Sequence, residues 1–490
     1  MNINLKDIPE YLKNSELYRI FLENSGDIIT INPNHNDKKE IIINSFEDLC
    51  NYLEIYRYWM LDESSKKLFY DYVKNNITLD EKCILQLKDN FHELSDFIEE
   101  LVQIKNFNKK SFAFAAKKGN NYLLKYLHEN GCPSDKSTCT YAAENGHYDC
   151  LKYAHENGCQ WNRYTCQYAA YNGHYDCLKY AHENGCPWNE YTCSDAAYNG
   201  HYDCLKYAHE NGCPWNYETP NNAAYKGHYD CLKYAHENDC ILSSETFKCA
   251  ADGGNINILK YLYENGCPWT IFTCSYAANN GNIDCLIYLH ENGISWNENT
   301  CMSAAFNGNL KCLIYAHENG CHWNECVSSE AARNGNLDCL KYAYENGCPW
   351  DRWTTGHAAK KGDLECLKYA HENGCPWDEF TCTYASQNGH LDCLKYAHEN
   401  GCHWDENTCS NAAFKGDLNC LKYAHENGCP WDDYTCTQAV FEGNLDCLKY
   451  AHENGCPWDT EICSHISLNC NLNSNYLECL NYVLENKCSN

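Results

Sequence analysis

Cysteine, histidine and tryptophan recur at fixed spacing through most of this 490-residue chain. The stretch NGHYDCLKYAHENGCPWNEYTCSDAA, from Asn172 to Ala197, holds three cysteines, two histidines and one tryptophan, and nearly the same stretch returns from Asn388 to Ala413. Cysteine thiolates and histidine nitrogens are zinc ligands, and a cysteine beside a histidine can act as a nucleophile. The pattern is therefore compatible with a metal array, a thiol catalyst, a disulfide ladder or a purely structural repeat.

The spacing of these residues is constant at 27 positions, as the second residue of each Ala-Ala pair or its equivalent shows. These marker residues are Ala116, Ala143, Ala170, Ala197, Ala224, Ala251, Ala278, Ala305, Ala332, Ala359, Ser386, Ala413, Val440 and Ser467. Fourteen copies thus begin near Ser111, and only the last is irregular, with five additional residues between its halves. A period of this length predicts a solenoid of stacked repeats.

The cysteines fall into columns whose exceptions indicate what each column requires. Of the 39 cysteines, 34 occupy three columns: 9 near the start of the copy, 12 in its middle and 13 near its end. The exceptions are Phe112, Pro220, Phe247, Ser328 and Thr355 in the first column, Leu123 and Ile258 in the second, and Ile294 in the third. Isoleucine cannot replace a zinc thiolate, but it can replace a small buried hydrophobe, and free cysteine packs as one. We therefore predict packing, with a zinc- or thiol-rich metal-binding or redox protein as the alternative.

The histidine and tryptophan columns support the same interpretation. Eleven histidines share one column with Tyr263 and Tyr344. A partly buried ring whose polar tip hydrogen-bonds a backbone group in the next loop would suit both residue types. Eleven tryptophans, from Trp161 to Trp458, occupy the loop that follows, and we predict that they fill the gap between successive loops. A tryptophan edge that grips a ligand is the alternative. Catalysis needs one unique geometry, so many equivalent pairs disfavour a Cys-His nucleophile, and we predict no enzymatic activity and no cofactor.

Two short helices per copy would position these residues. Thr165 is a candidate N-cap of the first helix, which Gly173 ends. His174 offers a polar cap to the second helix, which Gly185 ends. Each helix is shorter than the roughly 12 residues at which isolated helices become marginal, so each must bury its apolar face against neighbouring copies.

The repeat resembles the ankyrin repeat. TCSYAANNGNIDCLIYLHENGISWNENT, residues 273–300, follows the pattern T-P-L-H-x-A-A, then N-G-H, then a leucine-rich helix that ends in N-G-A-D-V-N, and Thr219-Pro220 keeps the opening dipeptide. The period is 27 rather than 33, and the shortfall lies where ankyrin repeats build a projecting β-hairpin, so we expect a tight loop there. The shortened form is similar to the ankyrin-repeat proteins of amoeba-infecting, Mimivirus-like giant DNA viruses. The resemblance implies an all-α repeat solenoid that binds proteins on its concave face, which the first helices and the loops before them line.

Positions that vary between copies are the candidate partner contacts. The residue after each Ala-Ala pair varies, as do the residues shortly after the loop tryptophan. The candidate contacts are Tyr171, Tyr198, Tyr225, Phe306, Arg333, Lys360, Arg352 and Trp353. Exposed positions also vary when no partner constrains them, and that alternative stays open.

Residues 1–106 lack the period and are predicted to form a separate domain, either α+β or helical, before the repeats of residues 107–490. Two short strands are predicted at GDIITI and KEIIIN. An amphipathic helix is predicted at SFEDLCNYLEIYRYWML, and a longer helix from Thr78 to about Lys105. This order resembles a BTB/POZ-like adaptor, which implies a cullin-type ubiquitin ligase scaffold as partner. A helical domain that caps the first repeat is the alternative.

Charge and composition restrict the partners and the location. The net charge of -29 opposes binding to nucleic acid or to anionic membranes, and no stretch approaches 18 consecutive apolar residues. The first residues have no secretory signal, so we expect a cytoplasmic protein with reduced thiols, in a host cell if it is viral. The sequence thus predicts a scaffold that binds another protein, a host protein if the chain is viral, with a ubiquitin-ligase substrate adaptor as the alternative.

Overall fold

The computed structural model describes residues 95–106, 108–134, 137–457 and 474–487. These residues form helices and loops without a strand, which confirms the prediction of an all-α repeat stack. The chain divides into two compact units, Met1–Trp215 and Asn216–Asn490. The predicted strands, the amphipathic helix and the BTB/POZ-like order fall on residues 1–94, outside the described residues. The end of the predicted Thr78–Lys105 helix is described, as a helix from Ser95 to Asn106.

The first unit contains copies 1 to 4, each a pair of short helices that we call the first and second helix of the copy. The first helices are Lys109–Lys117, Ser137–Glu144, Arg163–Tyr171 and Glu190–Tyr198. The second helices are Asn121–Glu129, Tyr148–Glu156, Tyr175–Glu183 and Tyr202–Glu210.

The second unit contains copies 5 to 14. Its first helices are Glu218–Lys226, Ser244–Asp252, Thr273–Asn279, Glu298–Phe306, Glu325–Asn334, Arg352–Lys361, Glu379–Asn388, Glu406–Lys415 and Asp433–Glu442. Its second helices are Tyr229–Glu237, Ile256–Glu264, Ile283–Glu291, Leu310–Glu318, Leu337–Glu345, Leu364–Glu372, Leu391–Glu399, Leu418–Glu426, Leu445–Glu453 and Ser474–Lys487. The first half of copy 14 lies outside the described residues.

The N-cap of the first helix lies three residues before the predicted cap. Asn162 is the N-cap, with extended backbone and a side-chain oxygen that accepts from the N–H of Tyr164 at 2.9 Å. Thr165 is fully buried inside the helix, so its assignment as N-cap was wrong. The same arrangement returns where Asp351 accepts from the N–H of Trp353. In most of the described first helices the cap is an Asn or Asp, because a short side-chain acceptor can reach the exposed N–H groups of the first turn.

The residue before the second helix also differs from the prediction, because its side chain points to the preceding copy. His174 makes no side-chain cap hydrogen bond to its own helix. In the equivalent position, Nε2 of His147 donates to the carbonyl oxygen of Lys117, and the amide of Asn309 donates to the carbonyl oxygens of Ala278 and Asn279. These carbonyls end the first helix of the previous copy, so the side chain ties two copies together. Where the position is Asp363, which has no N–H to donate, it caps its own helix instead, at 2.8 Å from the N–H of Cys366.

In the described copies, the core consists mainly of alanine, leucine and cysteine from both helices. Cys166, Ala169 and Ala170 of a first helix and Cys177 and Leu178 of a second helix are all buried. The residues that replace cysteine in the three columns are buried as well: Phe112, Pro220, Phe247, Ser328, Thr355, Leu123, Ile258 and Ile294. The prediction that the cysteine columns pack as small buried side chains is confirmed.

The loops between copies are short, and the first helices form the main contact between copies. Residues 157–162 join the helix that ends at Glu156 to the helix that begins at Arg163, without a strand, which confirms the expected tight loop. Within each unit, neighbouring first helices contact one another more extensively than neighbouring second helices do. Small residues on the first helices, such as Ala169 and Ala170, permit this close approach. The varying side chains of the first helices therefore lie side by side across successive copies.

Candidate functional site

The histidine column forms a repeated aromatic stack rather than a metal site. His155 lies face to face with Trp161, with ring centroids 3.7 Å apart and an interplanar angle of 12°. Its Nδ1 shares a hydrogen bond of 3.0 Å with the hydroxyl of Tyr180 on the second helix of the next copy. The predicted backbone partner was therefore wrong for this histidine, although Tyr263 does donate to the backbone oxygen of Asn292 at 3.2 Å.

The tryptophans pack against these histidines in the loops. Trp161 also meets Tyr180 edge-on at 6.2 Å, and Trp323 repeats the arrangement with His317 and Tyr342 in the second unit. These indole rings are half-buried between a histidine of one copy and a tyrosine of the next, as expected for side chains that fill the gap between successive loops. Trp269 is more exposed, at 40 %.

The thiols are engaged in packing and in hydrogen bonds to the backbone. Cys186, of the third column, donates to the carbonyl oxygen of Asn162, the N-cap of the first helix in its own copy, at 3.2 Å. Burial raises the pKa of Cys150 and Cys177, of the second column, to about 12. A neutral, buried thiol is a poor nucleophile and a poor metal ligand. In the described ranges, no three His, Cys, Asp or Glu side chains are grouped to hold a metal ion.

The exposed face of the first helices brings several predicted contacts together in the first unit. Tyr171 is 40 % exposed and stacks on the half-buried Tyr198 of the next copy, with centroids 6.4 Å apart. Tyr164 and Tyr168 stack on one another at 6.1 Å on the same helix as Tyr171. The three positions 164, 168 and 171 follow helical spacing and so share one face.

In the second unit the predicted basic residues lie over aromatic rings. The guanidinium of Arg333 is 6.0 Å from the ring centre of Phe306 and forms an ion pair with Glu330 at 3.2 Å. The ammonium group of Lys360 is 5.6 Å from the ring centre of Tyr384. Arg333 and Lys360 thus contact different rings. Tyr225 is exposed, and the ammonium group of Lys226 lies 5.4 Å from its ring centre.

A second aromatic group surrounds Arg352 and Trp353. Arg352 forms an ion pair with Asp378 at 3.2 Å and lies 5.8 Å from the ring centre of Trp353. Trp353 stacks on Phe380 of the next copy at 6.4 Å, and Phe380 stacks on Tyr384 at 6.0 Å. These rings form a patch over two copies in which Trp353 and Phe380 are exposed and Tyr384 is half-buried.

Sequence reasoning missed one column of this face, which includes Tyr168, Tyr384, Asn411 and Gln438. Each of these residues lies three positions before a residue of the predicted column, and side chains at that spacing share one helix face. The signal was present in the sequence, because this column varies between copies as widely as the one that was predicted. The i, i+4, i+7 pattern of positions 164, 168 and 171 becomes apparent only when the N-cap is known to be Asn162 and not Thr165.

Family models agree with this architecture. A model of ankyrin repeats with three copies matches residues 94–192, and a model of many ankyrin repeats matches residues 193–236, 328–371 and 357–398. The chain therefore contains ankyrin repeats. Ankyrin repeats are typically non-catalytic interaction modules, and their presence indicates a protein-protein interaction scaffold.

Two solved repeat proteins are similar to this chain at low sequence identity. The crystal structure of the human ASB11 ankyrin repeat domain is 18 % identical over 37 % of this chain and 96 % of that chain, with a TM-score of 0.32. The pentatricopeptide repeat protein PPR10, crystallised with an 18-nucleotide psaJ RNA element, is 14 % identical over 90 % of this chain and 77 % of that chain, also at 0.32. No curated protein matches the sequence. None of the helices in the described ranges has the length and apolar character needed to cross a lipid bilayer.

Proposed function

We propose that the chain is a non-catalytic scaffold that binds a partner protein on the exposed face of its first helices. The observation that carries this proposal is the stacked aromatic side chains on that face, Tyr171 with Tyr198 and Trp353 with Phe380. Tyrosine, tryptophan and arginine dominate the binding energy of protein interfaces, and rings held by their neighbours lose little entropy when a partner binds.

The chemistry of the partner follows from the charge of the chain. A net charge of -29 attracts basic surfaces, accelerates encounter with them and makes the association rate fall as salt is added. The similarity of the short repeat to those of giant viruses supports a host protein as partner. The buried, reduced thiols suit a compartment such as the cytoplasm.

Affinity capture with the full chain tests the proposal. A variant with Tyr171, Tyr198 and Tyr225 changed to Ala is expected to lose the partner, because truncation of aromatic anchors removes contacts worth ~2 kcal/mol or more each. The matched control changes Tyr148, Tyr175 and Tyr202, which have the same spacing but lie on second helices, to Ala. Equal loss in both variants, or retention in both, would contradict binding on the first helices.

An adaptor role would extend this proposal. Residues 1–106 would then hold a cullin-type ubiquitin ligase scaffold while the repeats hold the substrate. The same capture tests this role by whether a cullin is recovered together with the partner, and repeated capture of the partner without a cullin contradicts it.

A further inference from the structure

A groove of about 250 Å³ crosses the first helices of copies 11, 12 and 13. Its lining includes four carboxamide side chains and two aromatic ones: Gln387, Asn407, Asn411, Gln438, Phe414 and Tyr434. Its volume is below the roughly 300–1,000 Å³ of sites that enclose a small molecule. The groove therefore suits part of a longer ligand rather than a whole enclosed one.

The carboxamides of the groove retain hydrogen-bonding capacity. The side-chain N–H of Asn407 donates to Asp405 at 2.7 Å, and that of Asn411 donates to the backbone oxygen of Asn407 at 2.8 Å. Gln387 and Gln438 are half-buried, and within the ranges that the structure describes their side chains have no hydrogen-bond partner. Each can donate and accept at the same time, because a carboxamide carries both an oxygen and an NH₂ group.

The lining of the groove contains no charged side chain, and we call its acidic edge the side where two lining residues directly follow an acidic residue in the sequence. Glu406 and Asp433 begin the first helices of copies 12 and 13, are exposed, and immediately precede Asn407 and Tyr434. A neutral lining does not select phosphate groups, which require basic side chains or free helix N-termini. Cationic side chains are favoured at the acidic edge.

The aromatic residues supply an apolar contact between the carboxamides. Phe414 is 41 % exposed and Tyr434 is 55 % exposed, so a large part of each ring is available to a ligand. Burial of such rings contributes roughly 25 cal/mol for each Å² of apolar surface removed from water.

We propose that this groove binds an extended segment of a partner polypeptide, through hydrogen bonds from Gln387 and Gln438 to its backbone. An extended backbone offers an N–H and a C=O at each residue, which carboxamides satisfy in both directions. The segment places an apolar side chain on Phe414 and Tyr434 and a Lys or Arg residue at the Glu406 and Asp433 edge. This inference rests on the proposed function and locates one part of the partner.

Selection of random 12-residue peptides displayed on phage, against the full chain, tests this assignment. Selected peptides are expected to combine an apolar residue with Lys or Arg and to lack acidic residues. Synthetic copies are then measured by fluorescence anisotropy against the wild type and against the double variant Gln387→Met, Gln438→Met. Methionine keeps the length of the side chain and its helix propensity but removes both hydrogen-bonding groups. Circular dichroism checks that the variant is folded.

The double variant is expected to raise the Kd about tenfold, since each neutral hydrogen bond contributes a few-fold. The control Gln160→Met removes an exposed carboxamide from a loop and is expected to leave the Kd unchanged. Phe414→Ala is expected to weaken the same peptides, because their apolar side chain loses its contact.

The outcomes separate this inference from the proposed function. Three results overturn the groove assignment: enrichment of acidic peptides, enrichment of no peptide, or an unchanged Kd in the double variant. They do so even if protein capture depends on Tyr171, Tyr198 and Tyr225. Peptides that bind the groove as expected support the assignment. Failure of protein capture alone counts against the proposed function and not against the groove.

Discussion

At the scale of single residues, the repeated cysteines act through size and polarity rather than through reactivity. Among the described cysteines, all but Cys249 and Cys326 are buried. The isoleucine at position 294 is 2 % exposed in the third column, as buried as the cysteines of that column. A thiol fits because it is small, apolar and still able to donate weakly to a carbonyl oxygen.

Thiol labelling should therefore distinguish Cys326 from the buried cysteines of the second column. Cys326 is exposed at the start of a first helix, whereas Cys150 and Cys177 combine burial with a pKa of about 12. Partial burial and the carboxylate of Glu325 raise the pKa of Cys326, yet iodoacetamide at pH 8 is expected to modify this exposed thiol in the folded chain well before Cys150 or Cys177. Cys150 and Cys177 should react only after unfolding, because the thiolate is the reactive form.

Mass spectrometry of the labelled peptides, with and without guanidinium chloride, measures this difference. Rapid modification of Cys150 or Cys177 without denaturant would contradict the packing role of their column. The variant Cys326→Ser serves as the control that assigns the fast reaction.

At the scale of helices, a histidine or asparagine before the second helix ties its copy to the preceding one, as Asn309 does. Asn309 donates to the carbonyl oxygens of Ala278 and Asn279 at 3.0 and 2.8 Å. To do so it passes close behind Gly281, whose φ of 74° lies in the left-handed region. A glycine there satisfies two requirements, since it adopts this φ without strain and leaves room for the side chain of the next copy.

Two alanine substitutions separate those requirements. Gly293 has nearly the same φ as Gly281, 76°. A Cβ carbon added at Gly293 would meet no other atom within 4 Å. A Cβ carbon added at Gly281 would lie 2.7 Å from Oδ1 of Asn309. Gly293→Ala is expected to cost ~1 kcal/mol from backbone strain alone. Gly281→Ala should cost ~1–3 kcal/mol more, because Asn309 must move and lose its hydrogen bonds.

Urea denaturation of both variants measures the difference in the free energy of unfolding. Hydrogen exchange should place the additional loss at the junction of copies 7 and 8. Equal destabilisation by the two substitutions would show that the tie through Asn309 contributes nothing.

At the scale of the whole molecule, the same local effect adds up over three histidines of the first unit. Burial lowers the pKa of His155, His174 and His182 below the ordinary value of 6.5. The unfolded chain then binds protons at a higher pH than the folded chain does, so folding is favoured when these histidines are neutral. Their contribution to stability is complete above about pH 6.5 and is lost as the pH falls through the folded-state pKa.

The Tm is accordingly expected to decrease between pH 7.5 and pH 5.5. The matched variant carries His155→Tyr and His182→Tyr, because Tyr344 already occupies this column and stacks on Trp350 at 4.2 Å. Differential scanning calorimetry should show a smaller decrease for the variant. An identical decrease would assign the pH dependence to other groups.

The period, the helix pairs, the burial of the cysteine columns and the tight loop at 157–162 were predictable from the sequence. They depend on spacing within one copy, where i, i+3 and i+4 relations and glycine conformations decide the outcome. Tyr171 and Tyr198 were also identified as candidate contacts, because variation against a constant background marks exposed positions.

Only the tertiary structure decided which side chains of different copies meet. The partners of His155, Asn309 and Lys360 lie 24 to 31 residues away in sequence, and no local rule ranks one such distant partner above another. The assignment of Thr165 as a cap failed for the same reason, since its burial depends on the neighbouring helices. The groove of copies 11 to 13 exists because first helices from three copies pack side by side, and its carboxamides become one surface only there.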